Sequence, residues 1–137
     1  MATLEDLRKP QEYVVSHLGP DSFKPGGQRA NSLYRDLGLT AATHGAVKAH
    51  VVKNIGPFDK AKVGGMHFHG LEFHFVYMLK GWIRMKVAGH GIVTVREGSA
   101  WLQPPGIHHE VLEYSDDREL LEIVMPAEFS TVEVDGP

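Results

Sequence analysis

From Ser32 onward this 137-residue chain is a succession of short β-branched and aromatic runs, each closed by Gly, Pro, Asn or Asp within a few positions. Runs of that length leave no room for the 3.6-residue period of a buried helix, but they suit strands, whose side chains alternate between two faces. The pattern predicts strands near 32–37, 46–55, 65–69, 72–80, 82–88, 91–96, 100–103, 109–114, 119–125 and 129–134. Gly89-His90-Gly91 and Ser115-Asp116-Asp117 read as the hairpin turns. Around ten short strands at this spacing specify an all-β barrel or sandwich.

Residues 1–30 form a different section, an arm or extension ahead of a single β domain over 31–137. Thr3 and Asp6 have the spacing of a capping box, and Leu4, Leu7, Val14, Val15 and Leu18 suit one or two short helices interrupted at Pro10. Gly19-Pro20 and Lys24-Pro25-Gly26-Gly27 read as turns or an extended arm. This section cannot bury a core alone and is expected to lie on the β domain or on a neighbouring subunit. The strand over 72–79 shows what needs covering. Its even positions are Glu72, His74, Val76 and Met78, and its odd ones Phe73, Phe75, Tyr77 and Leu79. If the His74 face looks inward, four bulky residues on the other face need the arm or a second copy, so a homodimer is expected.

Six of the nine histidines fall between positions 67 and 109. His67-Phe68-His69 on a strand sends both imidazoles to one face, where neutral ring nitrogens suit Fe(II), Mn(II), Ni(II), Cu(II) or Zn(II). There is no cysteine, so any metal takes nitrogen and oxygen ligands. His67, His69, His74 and His109 are the candidate ligands; His108 faces the other way, His90 belongs to a turn, and His17, His44 and His50 have no company. Gln103 and Glu113 are candidates for supporting a ligand or contacting substrate. Glu72 and Tyr77 are the candidate catalytic groups beside the metal.

Two spaced motifs resemble those of the cupin superfamily. The first family pattern, G-x5-H-x-H-x3–4-E-x6-G, is matched by His67-x-His69-x4-His74-x6-Gly81, with Ala61 where its first glycine belongs and histidine in place of glutamate. The second, G-x5-P-x-G-x2-H-x3-N, is matched by Gly98-x5-Pro104-x-Gly106-x2-His109, with Glu113 in place of asparagine. The resemblance covers roughly residues 60–125. It implies a jelly-roll double-stranded β-helix with a divalent metal inside, and small cupins of this kind are often dimers. Three histidines and a glutamate would leave a divalent ion one net positive charge; an all-histidine set keeps two and favours an anionic oxygen donor. Either His74 or Glu72 can complete the shell.

Other chemistries lack their parts: there is no G-x-S-x-G, no phosphate-binding glycine loop and no H-E-x-x-H. A net charge of −3 gives no electrostatic case for nucleic acid or an anionic membrane, and no apolar stretch is long enough to span a bilayer. A soluble, cytoplasmic protein is expected. The function expected is an Fe(II)-type, dioxygenase-like enzyme acting on a small oxygen-bearing molecule, with isomerase or lyase chemistry a close variant. The alternative is a non-catalytic cupin that binds or senses a small molecule or the metal.

Overall fold

A computed structural model describes residues 2–26 and 30–134; Gly27 and the last three residues of the expected β domain lie outside the described residues. Ten strands run β1 (Ser32–Asp36), β2 (Lys48–Asn54), β3 (His67–His69), β4 (Phe73–Lys80), β5 (Trp82–Val87), β6 (Gly91–Arg96), β7 (Ala100–Leu102), β8 (His109–Tyr114), β9 (Glu119–Met125) and β10 (Thr131–Glu133). They form two five-stranded sheets, ordered β1-β2-β9-β4-β7 and β10-β3-β8-β5-β6. All paired strands are antiparallel. Each expected strand falls on an observed one, shortened mainly at its ends. The third begins at His67 because Gly64, at φ +77°, turns the chain just before it.

Two single-turn helices, α1 (Leu39–Ala42) and α2 (Lys60–Val63), were not expected. Four residues are too few to show a helical period. The start of α2 is held by the Asp59 carboxylate, which accepts from the Ala61 N–H.

The inner faces of the sheets meet in one core. Val52, Val76, Met78 and Leu120 come from the first sheet, Ile83, Met85, Val95 and Tyr114 from the second, and Val63 from α2. Phe58 packs edge-on against the Tyr114 ring at 4.9 Å. Two bulges set which side chains enter this space. One falls between Met78 and Lys80 on β4. The other separates the pairs Arg84–Glu113 and Met85–Val111, giving β8 one residue more than β5. That extra residue reverses the alternation along β8, so His109 and Tyr114, five positions apart, are both buried.

The N-terminal section departs from expectation. Asp6 accepts from the Thr3 N–H at 2.7 Å, as a capping box does, but only a 3-10 turn over Leu4–Arg8 follows. Residues 11–18 form no helix and are exposed, with Tyr13 almost wholly so. The arm is fixed at the β1–α1 end, where the Glu12 N–H donates to Ala42 O, His44 Nε2 meets Pro10 O, and Arg35 donates to Ser16 O. These anchors replace a packed helical stripe. They lie at the opposite edge of the sheet from β4 and β7, and Phe73, Tyr77 and Leu79 are each more than a third exposed.

Candidate metal centre

The strand pairing brings the histidines together. His67 on β3 lies opposite His109 on β8, and His69 lies opposite Thr131 on β10. All three histidines are buried, and one ring nitrogen from each falls within 4.8 Å of the others. Metal–imidazole bonds of about 2.1 Å place ligand nitrogens roughly 3–4 Å apart, so this spacing closes on an ion with little adjustment.

Each ring is also oriented. His67 Nδ1 lies 2.8 Å from Gly65 O, His69 Nδ1 2.9 Å from Thr131 Oγ1, and His109 Nδ1 3.1 Å from Ile107 O. A histidine whose Nδ1–H is donated to an oxygen presents the Nε2 lone pair, and this arrangement holds the rings of metal-binding histidines. The centroids of His67 and His109 are 4.2 Å apart, with His69 at 4.9 and 5.0 Å from them. Burial, then the neighbouring His109, His67 and His74, push the His69 pKa down to about 3. Above that range its ring is neutral and available to a cation. The donor set of three neutral imidazoles therefore fits a divalent transition metal.

His74 stands outside this trio. Its ring is 5.7 Å from that of His69, and its Nε2 lies 2.5 Å from Glu122 Oε2. The other oxygen of Glu122 is 2.7 Å from His50 Nε2. Burial pushes the Glu122 carboxyl up, but the hydrogen bonds from His50 and His74 outweigh it and hold the group well below the usual carboxylate range. One ionised carboxylate thus braces two histidines. His74 Nδ1 is buried without a partner among the described residues.

Gln103, on the loop after β7, is buried against the centre, its amide nitrogen 3.0 and 3.2 Å from the two ring nitrogens of His109. The Trp101 indole N–H donates to the amide oxygen at 3.4 Å, which sets the NH2 group toward His109. His67, His69 and His109 line one cavity of about 110 Å³ between the sheets, together with His74, Glu122, Gln103 and Trp101. That is well under the roughly 300 Å³ at which sites for drug-sized ligands begin.

Three expected site residues lie elsewhere. Glu72 is exposed in the turn before β4, so the strand alternation that would aim it inward does not reach it. Tyr77 is on the outer face of β4. Glu113 pairs with Arg84 at 3.0 Å, because the β8 bulge turns it away from His109. His108 stacks on Phe68 rather than joining His109. In the other direction, His50 does have company, and Glu122 was missed altogether. The signal for Glu122 was present: it is the one charged residue in the inward series Leu120, Glu122, Val124.

No family model and no curated protein matches the chain. Solved structures do. KdgF from Halomonas sp. aligns at a TM-score of 0.62 and 17% identity, covering 82% of this chain and 96% of that one. The polyketide cyclase RemF from Streptomyces resistomycificus aligns at 0.65 and 18%, covering 90% and 87%. The oxalate decarboxylase OxdC from Bacillus subtilis aligns at 0.60 and 17%, covering 92% of this chain and 34% of that one. The fold is the cupin double-stranded β-helix. Identities this low establish the architecture and leave the chemistry to the site. Among the described residues no helix is long and apolar enough to cross a membrane.

Proposed function

We propose that this cupin is a metal-dependent enzyme acting on a small oxygen-bearing organic molecule, with His67, His69 and His109 as its metal ligands. The observation that carries this reading is the convergence of three buried imidazole nitrogens within 4.8 Å, beside a cavity with room for a small molecule. Three protein ligands leave coordination positions open, as catalytic rather than structural metal sites do. The ion would supply Lewis acidity toward an oxygen donor and, as Fe(II), access to O2 chemistry.

The protein's own groups supply the rest. The Gln103 amide nitrogen lies 3.2 Å from His109 Nε2, and an ion taking that lone pair would leave its N–H to donate to an oxygen held alongside. His74, braced by Glu122 at Nε2 and without a partner at Nδ1 among the described residues, is the group placed to take or give a proton inside the cavity. It fills the role first assigned to Glu72 and Tyr77, which point away. An acid–base pair within reach of the centre supports catalysis over simple metal binding, and favours proton transfer on a metal-bound substrate alongside dioxygenase chemistry.

The test is elemental analysis of protein purified without an affinity tag, for wild type and for His67→Ala and His109→Ala. Stoichiometric transition metal in wild type and its loss in both variants are expected. Absence of metal from wild type, after reconstitution as well, would overturn the reading. Anaerobic Fe(II) loading, followed by O2-uptake and proton-exchange assays with diketones, phenols and hydroxy acids, separates the two reaction types.

A further inference from the structure

The cavity contains a second charged group that the metal chemistry leaves unused. Arg118 is 6% exposed and lines the same cavity as the three histidines, from just before the start of β9. It shares the inward side with Leu120, Glu122 and Val124, so it lies four residues along the strand from the carboxylate that braces His74. At about 3.3 Å per residue that is roughly 13 Å of backbone. Both side chains line the same cavity.

Glu122 acts on the Arg118 charge only through space, with no direct ion pair among the described residues. One guanidinium nitrogen donates to Ser32 Oγ at 2.9 Å, and the group stacks on the Tyr114 ring at 4.0 Å. Its Nε is buried with no hydrogen-bond partner, and no carboxylate lies within ion-pair distance of it, among the described residues. Among the described residues Glu122 is the only acidic one lining the cavity, and both of its oxygens are engaged by histidines. A buried cation without a directly paired carboxylate is costly to keep. Anchoring β1 through Ser32 would need only a neutral donor.

We propose that Arg118 forms the carboxylate-binding end of the substrate site, so that the enzyme's substrate is a small oxo or hydroxy acid whose carboxylate pairs with the guanidinium while its oxygen donor faces the histidine centre. The pairing rests on the metal-enzyme reading for the far end of the ligand, but the Arg118 end stands on its own observations. A carboxylate accepts charge-assisted N–H bonds from a guanidinium, and donation to Ser32 Oγ uses only one of the N–H groups on the two terminal nitrogens. The cavity of about 110 Å³ limits the molecule to a handful of heavy atoms.

The experiment uses a series of small probes from 2-oxopropanoate to 4-oxopentanoate, each paired with its primary amide. Binding is measured by calorimetry and thermal shift to wild type, Arg118→Gln, Arg118→Lys and Arg118→Met. Every protein is assayed metal-free and metal-loaded, with metal content determined in parallel. At least one acid is expected to bind metal-free wild type about tenfold or more tightly than its amide, the scale of one charge-assisted pair. Arg118→Gln and Arg118→Met should abolish that preference, and Arg118→Lys should keep part of it. Equal binding of every acid and amide, no binding of any probe, or a preference that survives in Arg118→Gln would overturn the proposal. The wild-type comparison decides even if a variant fails to fold. Failure of the metal reading shows separately, as protein that binds the acids yet takes up no metal.

Discussion

Replacing Glu122 with glutamine tests whether one carboxylate holds the inner wall of the cavity. Its two oxygens meet His50 Nε2 at 2.7 Å and His74 Nε2 at 2.5 Å. Glutamine keeps the volume and one acceptor but turns the other oxygen into an NH2 group facing an imidazole. One of two hydrogen bonds to a charged acceptor is lost, and such a bond is worth about 1.5–3 kcal/mol. A loss near 2 kcal/mol lowers the melting temperature of a chain this size by roughly 7 °C. Glu122→Ala strands both histidines and should cost about 3–5 kcal/mol, as breaking a buried pair does. The sign with pH follows from the carboxyl being held below its ordinary value. Its contribution is fully present above the unfolded value of about 4.5 and is lost as the pH falls through the folded one. The deficit of Glu122→Gln should therefore be present from pH 8 to pH 5 and shrink only in stronger acid. Thermal unfolding of metal-free protein across that range is the assay. Metal content should stay unchanged, because Gly65 O, Thr131 Oγ1 and Ile107 O, not Glu122, orient the three histidines proposed to hold it. A melting temperature for Glu122→Gln within about 2 °C of wild type at pH 7 would refute the reasoning.

Other expectations can be checked alongside. Saturating a metal at about 100 times its Kd should stabilise wild type by about 2.7 kcal/mol, seen as a thermal shift that His67→Ala and His109→Ala do not show. His69, pushed down to about 3, stays neutral when folded, whereas the unfolded ring titrates near 6.5. Metal-free protein should be most stable above pH 6.5 and lose stability as the pH falls toward 3, a slope that His69→Gln reduces in urea titrations. Gly81→Ala places a methyl group 2.1 Å from Ser115 Oγ at φ +70°, and the neighbours include Arg118 Cα at 3.2 Å. It should cost about 2–4 kcal/mol by chemical denaturation. The apolar outer face of β4, which the arm does not reach, is proposed to be covered by a second copy. Tyr77→Lys with Leu79→Lys should then shift the sedimentation coefficient from dimer to monomer, and a monomeric wild type would refute this.

The sequence by itself carried the strand pattern and the two histidine motifs. Both are local: alternation along a strand and fixed spacing around a turn are written in neighbouring residues. His67, His69 and His109 could be singled out because an H-x-H strand and a proline-glycine turn leave few choices of direction. The tertiary structure decided everything that depends on register between distant strands. Glu113 left the site through one extra residue in β8, which reversed the alternation. Glu72 left because β4 begins one residue later than the pattern implied. Glu122 entered because β9 pairs with both β2 and β4, setting one carboxylate between histidines at positions 50 and 74. Arg118 shows the same limit: its burial is visible only once β1, β8 and β9 close around it. Neighbouring residues fix which face a side chain takes, and only the assembled barrel fixes what it meets there.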